Sequence, residues 1–155
     1  MWKKVNLACI FIVLLSLVCF FTCQSIPEQQ ETPRKVISIG EPVADAPYSP
    51  GIVVGNTLYC SGCIGVDPET GNLGAGIEEQ TRLALEMIKD IVQNAEFGMD
   101  DVVKSTVFLK HLDDFTAMND VYRTYFPENP PARETVAVAG IVREALIEIS
   151  CIAVK

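Results

Sequence analysis

The stretch Pro131-Ala132-Arg133-Glu134-Thr135-Val136-Ala137-Val138-Ala139 consists of a turn and a following run that predicts a β-strand. Alternate residues of a strand share a face, so Arg133 points the same way as Thr135 and Ala137. These small side chains leave space around the guanidinium, which can bind a planar carboxylate through two parallel hydrogen bonds. The alternative is a structural salt bridge or a solvated strand end, and this stretch alone does not decide between them.

A second candidate residue lies in the last predicted strand, residues 145–154. Glu148 interrupts an apolar run that is otherwise typical of a buried strand, and a carboxylate there requires a partner that offsets its lost hydration. We expect this strand to lie beside the Arg133 strand because a short connection joins them. Two interpretations follow: a structural Arg133–Glu148 ion pair, or a site in which Arg133 holds a substrate carboxylate while Glu148 orients or deprotonates a water.

The rest of the hydrophobic pattern predicts strands over residues 35–39, 52–54, 57–64 and 102–109, and helices over 76–95 and about 114–126. Asp113 or Asp114 is the expected N-cap of the second helix. With the two C-terminal strands the order is β-β-β-α-β-α-β-β, which predicts an α+β fold with one sheet and both helices on a single face. The strands are apolar on both faces, so the sequence also predicts oligomerisation through the face without helices.

The chain has 155 residues, enough for one domain with a buried core, and a formal net charge of −8. Only Lys3 and Lys4 are charged before residue 24, so the remainder contains 10 basic and 20 acidic residues. Nucleic-acid binding relies on neutralising phosphates, and an acidic domain without a basic run disfavours it. The same balance disfavours electrostatic docking on anionic lipid. The sequence contains no P-loop, dinucleotide fingerprint or metal-ligand cluster.

Residues 1–23 predict a signal peptide, since two lysines precede an apolar run that is short for a membrane span. Cys23 ends this run after a small residue, as in a loose lipobox in which the cysteine would be lipidated. Ordinary cleavage and an uncleaved anchor are the alternatives. Residues 24–34 predict a polar tether, and residues 35–155 the folded domain. We therefore expect export: to the periplasm or as a membrane-anchored lipoprotein in a bacterium, and by secretion otherwise, with membrane contact through the N-terminus only.

Three cysteines, Cys60, Cys63 and Cys151, lie in the predicted domain. The first two have C-x-x-C spacing, but redox versions of that motif begin a helix, and here it interrupts a strand-like run. No second pair completes a zinc site. The pattern therefore favours buried packing over redox or metal function.

Several short motifs, taken together, resemble the Rid family, also called the YjgF family, of enamine/imine deaminases. The matching motifs are Pro47-Tyr48-Ser49-Pro50-Gly51, Ser61-Gly62, Asp67-Pro68-Glu69-Thr70-Gly71, Val103-Lys104-Ser105-Thr106-Val107, Asp113-Asp114-Phe115 with Asn119-Asp120-Val121-Tyr122, Pro131-Ala132-Arg133 and Ile147-Glu148-Ile149. They follow one another in a single register over roughly residues 36–155.

The resemblance implies a chorismate-mutase-like α+β fold and a homotrimer with a central barrel, whose sites lie between subunits. It implies hydrolysis of 2-imino acids, such as 2-aminoacrylate and its imine tautomer, to 2-keto acids and ammonia. If the roles of the family's site residues apply to this chain, Arg133 would bind the substrate carboxylate and Glu148 would activate water. Tyr48, Ser61, Gly62 and Asn119 would complete the pocket. No cofactor is implied, because an imine is already electrophilic and chiefly requires positioning and proton transfer.

The chain departs from the family pattern at three places. Cys63 stands where Gln is common, Ala46 where Gly is common, and Ile141-Val142 where Leu-Pro is usual. Cys63 removes an amide near the site. Besides imine deamination, two other functions are compatible with the resemblance: a non-catalytic module that binds a small carboxylate or keto acid, and an RNA-directed activity assigned to some family members, which the acidic composition and the predicted export disfavour.

Overall fold

The computed structural model describes residues 32–40 and 46–155, which contain one mixed six-stranded sheet and two α-helices. In chain order the elements are β1 Arg34–Ile37, β2 Gly51–Val54, β3 Thr57–Ile64, α1 Gly76–Asn94, β4 Val102–Leu109, α2 Phe115–Tyr125, β5 Ala132–Ala137 and β6 Ile147–Val154. The predicted order of elements is confirmed. The predicted signal segment with Cys23 and residues 24–31 of the predicted tether lie outside the described residues, and Arg34, the last tether residue, begins β1.

The sheet has the strand order β1-β2-β3-β6-β4-β5, and only the β4–β5 pair is parallel. Helix α2 forms the crossover between these two parallel strands, which is the connection that parallel pairing requires. The last strand, β6, lies between β3 and β4 and is antiparallel to both. The prediction that the Arg133 strand and the last strand are neighbours is therefore wrong, because β4 separates them.

Both helices pack on one face of the sheet, as predicted. The inward side chains of the two central strands alternate with partly exposed ones, so that Ile147, Ile149 and Cys151 are buried beneath the helices. Helix α1 buries a stripe that includes Leu85, Ile88 and Ile91. Only Met118 and Tyr122 of α2 are buried, a narrower stripe than its sequence indicates.

The opposite sheet face carries large apolar side chains without a covering helix among the described residues. Val36, Tyr59 and Val136 are each between 45% and 49% exposed. The N-terminus of α2 also differs from expectation: Asp114 occupies the N-cap position but its side chain makes no capping hydrogen bond. A 3-10 turn, Leu112–Asp114, leads directly into α2 instead. No helix in residues 32–40 or 46–155 is long and apolar enough to span a membrane.

Candidate active site

A bulge in β3 shapes the first part of the candidate site. The register of β3 against β6 shifts between Cys60 and Cys63, so Ser61 and Gly62 leave the regular ladder. The Ser61 hydroxyl donates to the backbone oxygen of Ser49 at 2.6 Å, and the Ser61 amide donates to Pro50 at 2.9 Å. These bonds fix the preceding loop, which carries Tyr48, against the bulge. Bulges that redirect side chains are frequent next to active sites.

Glu148 lies against the glycine of this bulge. A Cβ added at Gly62 would overlap the Glu148 carboxylate, with Oε1 nearest and Cδ at 2.8 Å. Only glycine leaves room for the carboxylate in this position. Glu148 is partly exposed and lines a cavity of about 660 Å³ together with Tyr48, Ser61 and Gly62. We call these four residues the Glu148 half-site.

The three cysteines are buried and unoxidised, as the sequence favours. Cys60 lies opposite Cys151 in the register of β3 and β6. Burial raises the pKa of Cys63 to about 12, with smaller contributions from Cys60 and Glu148. Cys63 is therefore a neutral thiol at physiological pH and is not an activated nucleophile. Within the described part of the chain, no cluster of three or more His, Cys, Asp or Glu side chains could hold a metal ion.

Arg133 occupies a second cavity, of about 450 Å³, beside α2. Its Nη2 donates to Asn119 Oδ1 at 2.7 Å, and its Cζ lies 4.5 Å from the centre of the Tyr122 ring. The Phe115 ring is 5.9 Å away. Among the described residues, no carboxylate lies within ion-pair distance of Arg133, although five other pairs are formed. Neutral partners thus orient the guanidinium and leave it available for an anion. We call Asn119, Tyr122 and Arg133 the Arg133 half-site.

Tyr122 was not singled out as a site residue from the sequence, whereas Thr135 was noted only as a small neighbour of Arg133 on its strand. Tyr122 stacks on the guanidinium and holds Ser105 Oγ at 2.6 Å through its hydroxyl, although its pattern indicates only an apolar stripe. The sequence feature that could have identified Tyr122 is its spacing from Asn119, which puts both residues on one face of the helix. Thr135 shares the face of Arg133, and its Oγ1 is buried without a hydrogen-bond partner in the described structure. Burial of a hydroxyl without a hydrogen bond costs free energy. A polar ligand that hydrogen-bonds to the Thr135 hydroxyl would remove this cost.

The two half-sites do not meet within one chain. Arg133 contacts α2 and therefore faces the helices, whereas Glu148 alternates with the buried Ile147 and Ile149 and faces the other way. Strand β4 lies between their strands. Of the two interpretations that the sequence left open, the structural Arg133–Glu148 ion pair is wrong for the described residues, because the last strand inserts between β3 and β4 instead of pairing with β5.

Comparison with known proteins identifies the group to which this architecture belongs. A family model described as Endoribonuclease L-PSP matches residues 38–155. The chain belongs to the Rid, or YjgF, family. The resemblance seen in the sequence motifs and the predicted α+β sheet with two helices are thereby confirmed.

Three relatives illustrate the similarity. A RutC family protein from Saccharolobus solfataricus is 50% identical over 110 residues, which cover 70% of this chain and 87% of the relative. A mouse protein named 2-iminobutanoate/2-iminopropanoate deaminase is 40% identical over 124 residues, covering 79% and 92% of the two chains. The crystal structure of Escherichia coli TdcF with bound serine has a TM-score of 0.73 and 38% identity, covering 78% of this chain and 98% of TdcF.

Proposed function

We propose that the protein is a cofactor-independent deaminase that hydrolyses 2-imino acids to 2-keto acids and ammonia. The observation that carries this proposal is Arg133, which is held by Asn119 and Tyr122 and has no carboxylate partner among the described residues. A guanidinium oriented in this way is suited to bidentate binding of a 2-imino acid carboxylate. The relatives named as 2-iminobutanoate/2-iminopropanoate deaminases support the same reaction.

In the proposed reaction, the carboxylate bound by Arg133 fixes the imine carbon near Glu148. Glu148 accepts a proton from a water molecule, whose oxygen adds to the imine carbon while the imine nitrogen gains a proton. Glu148 returns its proton to the nitrogen of the resulting tetrahedral intermediate, and the hydroxyl group releases its own proton. The C–N bond then breaks, ammonia leaves and a 2-keto acid remains. Tyr48, Ser61 and the backbone at Gly62 bound the substrate on the Glu148 side. Positioning and proton transfer supply the rate enhancement.

We further propose that the site is completed between subunits of a homotrimer. In one chain the two half-sites face opposite sides of the sheet, so a small substrate cannot contact both. The apolar side chains on the uncovered sheet face support burial against further copies of the chain. In such an assembly, Arg133 of the partner subunit would complete the Glu148 half-site.

Turnover of freshly generated 2-imino acids by the purified protein tests this function. We expect the protein to accelerate formation of keto acid and ammonia above the spontaneous rate. Arg133→Ala should cost at least ~2 kcal/mol of transition-state stabilisation, or about thirtyfold in kcat/KM. Glu148→Ala should lower kcat, whereas Arg82→Ala, which removes an exposed arginine paired with Glu79, is the matched control. Unchanged turnover in Arg133→Ala would contradict the role of this residue.

The alternative is a binding module in which the Arg133 half-site holds a small carboxylate without converting it. The serine bound to TdcF is compatible with this alternative, because it shows a small amino acid held by a relative. Ligand-dependent thermal stabilisation by keto acids, without turnover of any imine, would favour it over catalysis.

A further inference from the structure

The turn between β5 and β6 contains two consecutive strained residues. Arg143 has φ 59° and Glu144 has φ 60°, in the left-handed region that residues with a Cβ rarely adopt. Such conformations persist where surrounding contacts hold them, and they are frequent in binding and active sites. Here Arg143 Nη2 donates to the backbone oxygen of Gly71 at 2.7 Å, and the Glu144 carboxylate pairs with Lys110 at 2.7 Å. Both strained residues are therefore tied to neighbouring elements.

This turn contributes Val142 and Arg143 to the wall of the Glu148 cavity. Arg143 is the only basic residue among the described residues that line the cavity. Its hydrogen bond to Gly71 uses one N–H of the five that a guanidinium offers. The turn that presents Gly71 is itself ordered, because the Asp67 carboxylate accepts hydrogen bonds from the amides of Glu69 and Thr70. Arg143 is thus preorganised at the cavity wall.

A substrate with a single carboxylate, held by Arg133, leaves the charge of Arg143 without an anionic partner on the ligand. In the proposed reaction Arg133 binds the carboxylate next to the imine carbon, so Arg143 would face the far end of the substrate. In a single chain the cavity has a volume of about 660 Å³, part of which the proposed partner subunit would occupy. The domain is acidic overall and repels a dianion at long range, which makes a local positive charge more important for binding one.

We propose that Arg143 is a specificity-determining residue that binds a distal carboxylate, so that the preferred substrates are 2-imino dicarboxylic acids. This proposal rests on the imine-hydrolysis function and on Arg133 as the partner of the carboxylate next to the imine. The reaction is unchanged: water adds to the imine carbon, the C–N bond breaks, and ammonia leaves. The product is a 2-keto dicarboxylic acid.

The test compares 2-iminoglutarate with 2-iminobutanoate, each generated in the assay from its amino acid by an oxidase. In the wild-type protein we expect the higher kcat/KM for 2-iminoglutarate. Arg143→Asn should lower the ratio of the two kcat/KM values by about tenfold, since one charge-assisted contact is lost. The loss should fall mainly on KM for 2-iminoglutarate, because a distal contact stabilises the bound substrate and the transition state alike. Asparagine tolerates the left-handed backbone of this position.

Glu144→Asn is the matched control, because it changes the neighbouring strained residue and its Lys110 pair but keeps the Arg143 charge. Its substrate ratio should equal that of the wild type. Arg143→Gly, which also tolerates positive φ, is the second variant and should reproduce the effect of Arg143→Asn. A protein that hydrolyses 2-iminobutanoate with the same substrate ratio in all of these variants would overturn the role of Arg143 alone. A wild-type protein that hydrolyses neither imine would overturn the proposed function and this inference with it.

Discussion

At the scale of single residues, Gly62 controls the position of the Glu148 carboxylate. We predict that Gly62→Ala leaves the fold intact, because the overlapping group is the end of a flexible side chain, and displaces that carboxylate. A catalytic group misplaced by about 1 Å can cost on the order of a hundredfold in rate, so kcat should fall by about that factor.

Gly140→Ala is the matched control for this substitution, since a Cβ there meets nothing within 4 Å and needs no positive φ. Imine turnover and thermal unfolding of both variants give the comparison. Wild-type turnover in Gly62→Ala would show that the position of Glu148 is not important for the reaction.

The sequence was enough to predict that Arg133 and Glu148 are candidate site residues. It was not enough to predict where the two side chains lie relative to each other. Strand alternation indicates the face that Arg133 shares with Thr135, and an acidic residue within an apolar strand marks Glu148. The family resemblance pointed to Asn119 as a pocket residue. The contacts of Asn119 and Tyr122 with Arg133 depend on the crossover of α2 above β5, which is a tertiary contact. The sequence did not mark Arg143 as a site residue. Its backbone is left-handed, but the position holds neither glycine nor asparagine, the residues that usually indicate this conformation.

At the scale of elements, the position of β6 was the main difference from expectation. Hydrophobic periodicity locates strands and helices within a few residues, and β3 and β4 have the predicted bounds. Hydrophobic periodicity does not indicate the order of the strands across the sheet, and a short connection makes two strands neighbours only on average. Here the segment after β5 passes β4, and β6 pairs with both β3 and β4.

The buried thiols of β3 and β6 predict a loss of stability at alkaline pH. Burial raises the pKa of Cys63 from 9.0 to about 12, so above pH 9.0 the unfolded chain releases a proton that the folded chain retains. The folded state then binds more protons, and its free energy of unfolding falls as pH rises from 9.0 to about 12.

The contribution of one such thiol is up to about 1.4 kcal/mol per pH unit within this range. Urea unfolding of wild type and Cys63→Ala between pH 9 and 11 measures it. The variant should lose stability less steeply with pH, and identical slopes would show that the Cys63 thiol does not contribute.

At the scale of the whole molecule, the charge distribution disfavours an RNA-directed function. Five basic side chains of the described residues, Arg82, Lys89, Lys104, Lys110 and Arg123, are paired with carboxylates. Half of the ten basic residues after residue 23 are therefore paired with carboxylates, and the total charge of this part of the chain is acidic. Phosphate binding needs clustered, unpaired cations.

The proposed assembly with further copies of the chain would account for both the uncovered sheet face and the two separated half-sites. Burial of the apolar face would stabilise the assembly, and the same contact would join half-sites from different subunits. The central claim is thus that each active site takes Arg133 from one subunit and Glu148 from another.

Complementation between two inactive variants tests this claim most directly. Arg133→Ala and Glu148→Ala chains with different tags are coexpressed, and assemblies that carry both tags are purified. In a cyclic trimer of mixed composition one interface of the three joins an intact Arg133 to an intact Glu148, so about one third of wild-type turnover is expected. Turnover no higher than that of either variant alone would contradict a site shared between subunits.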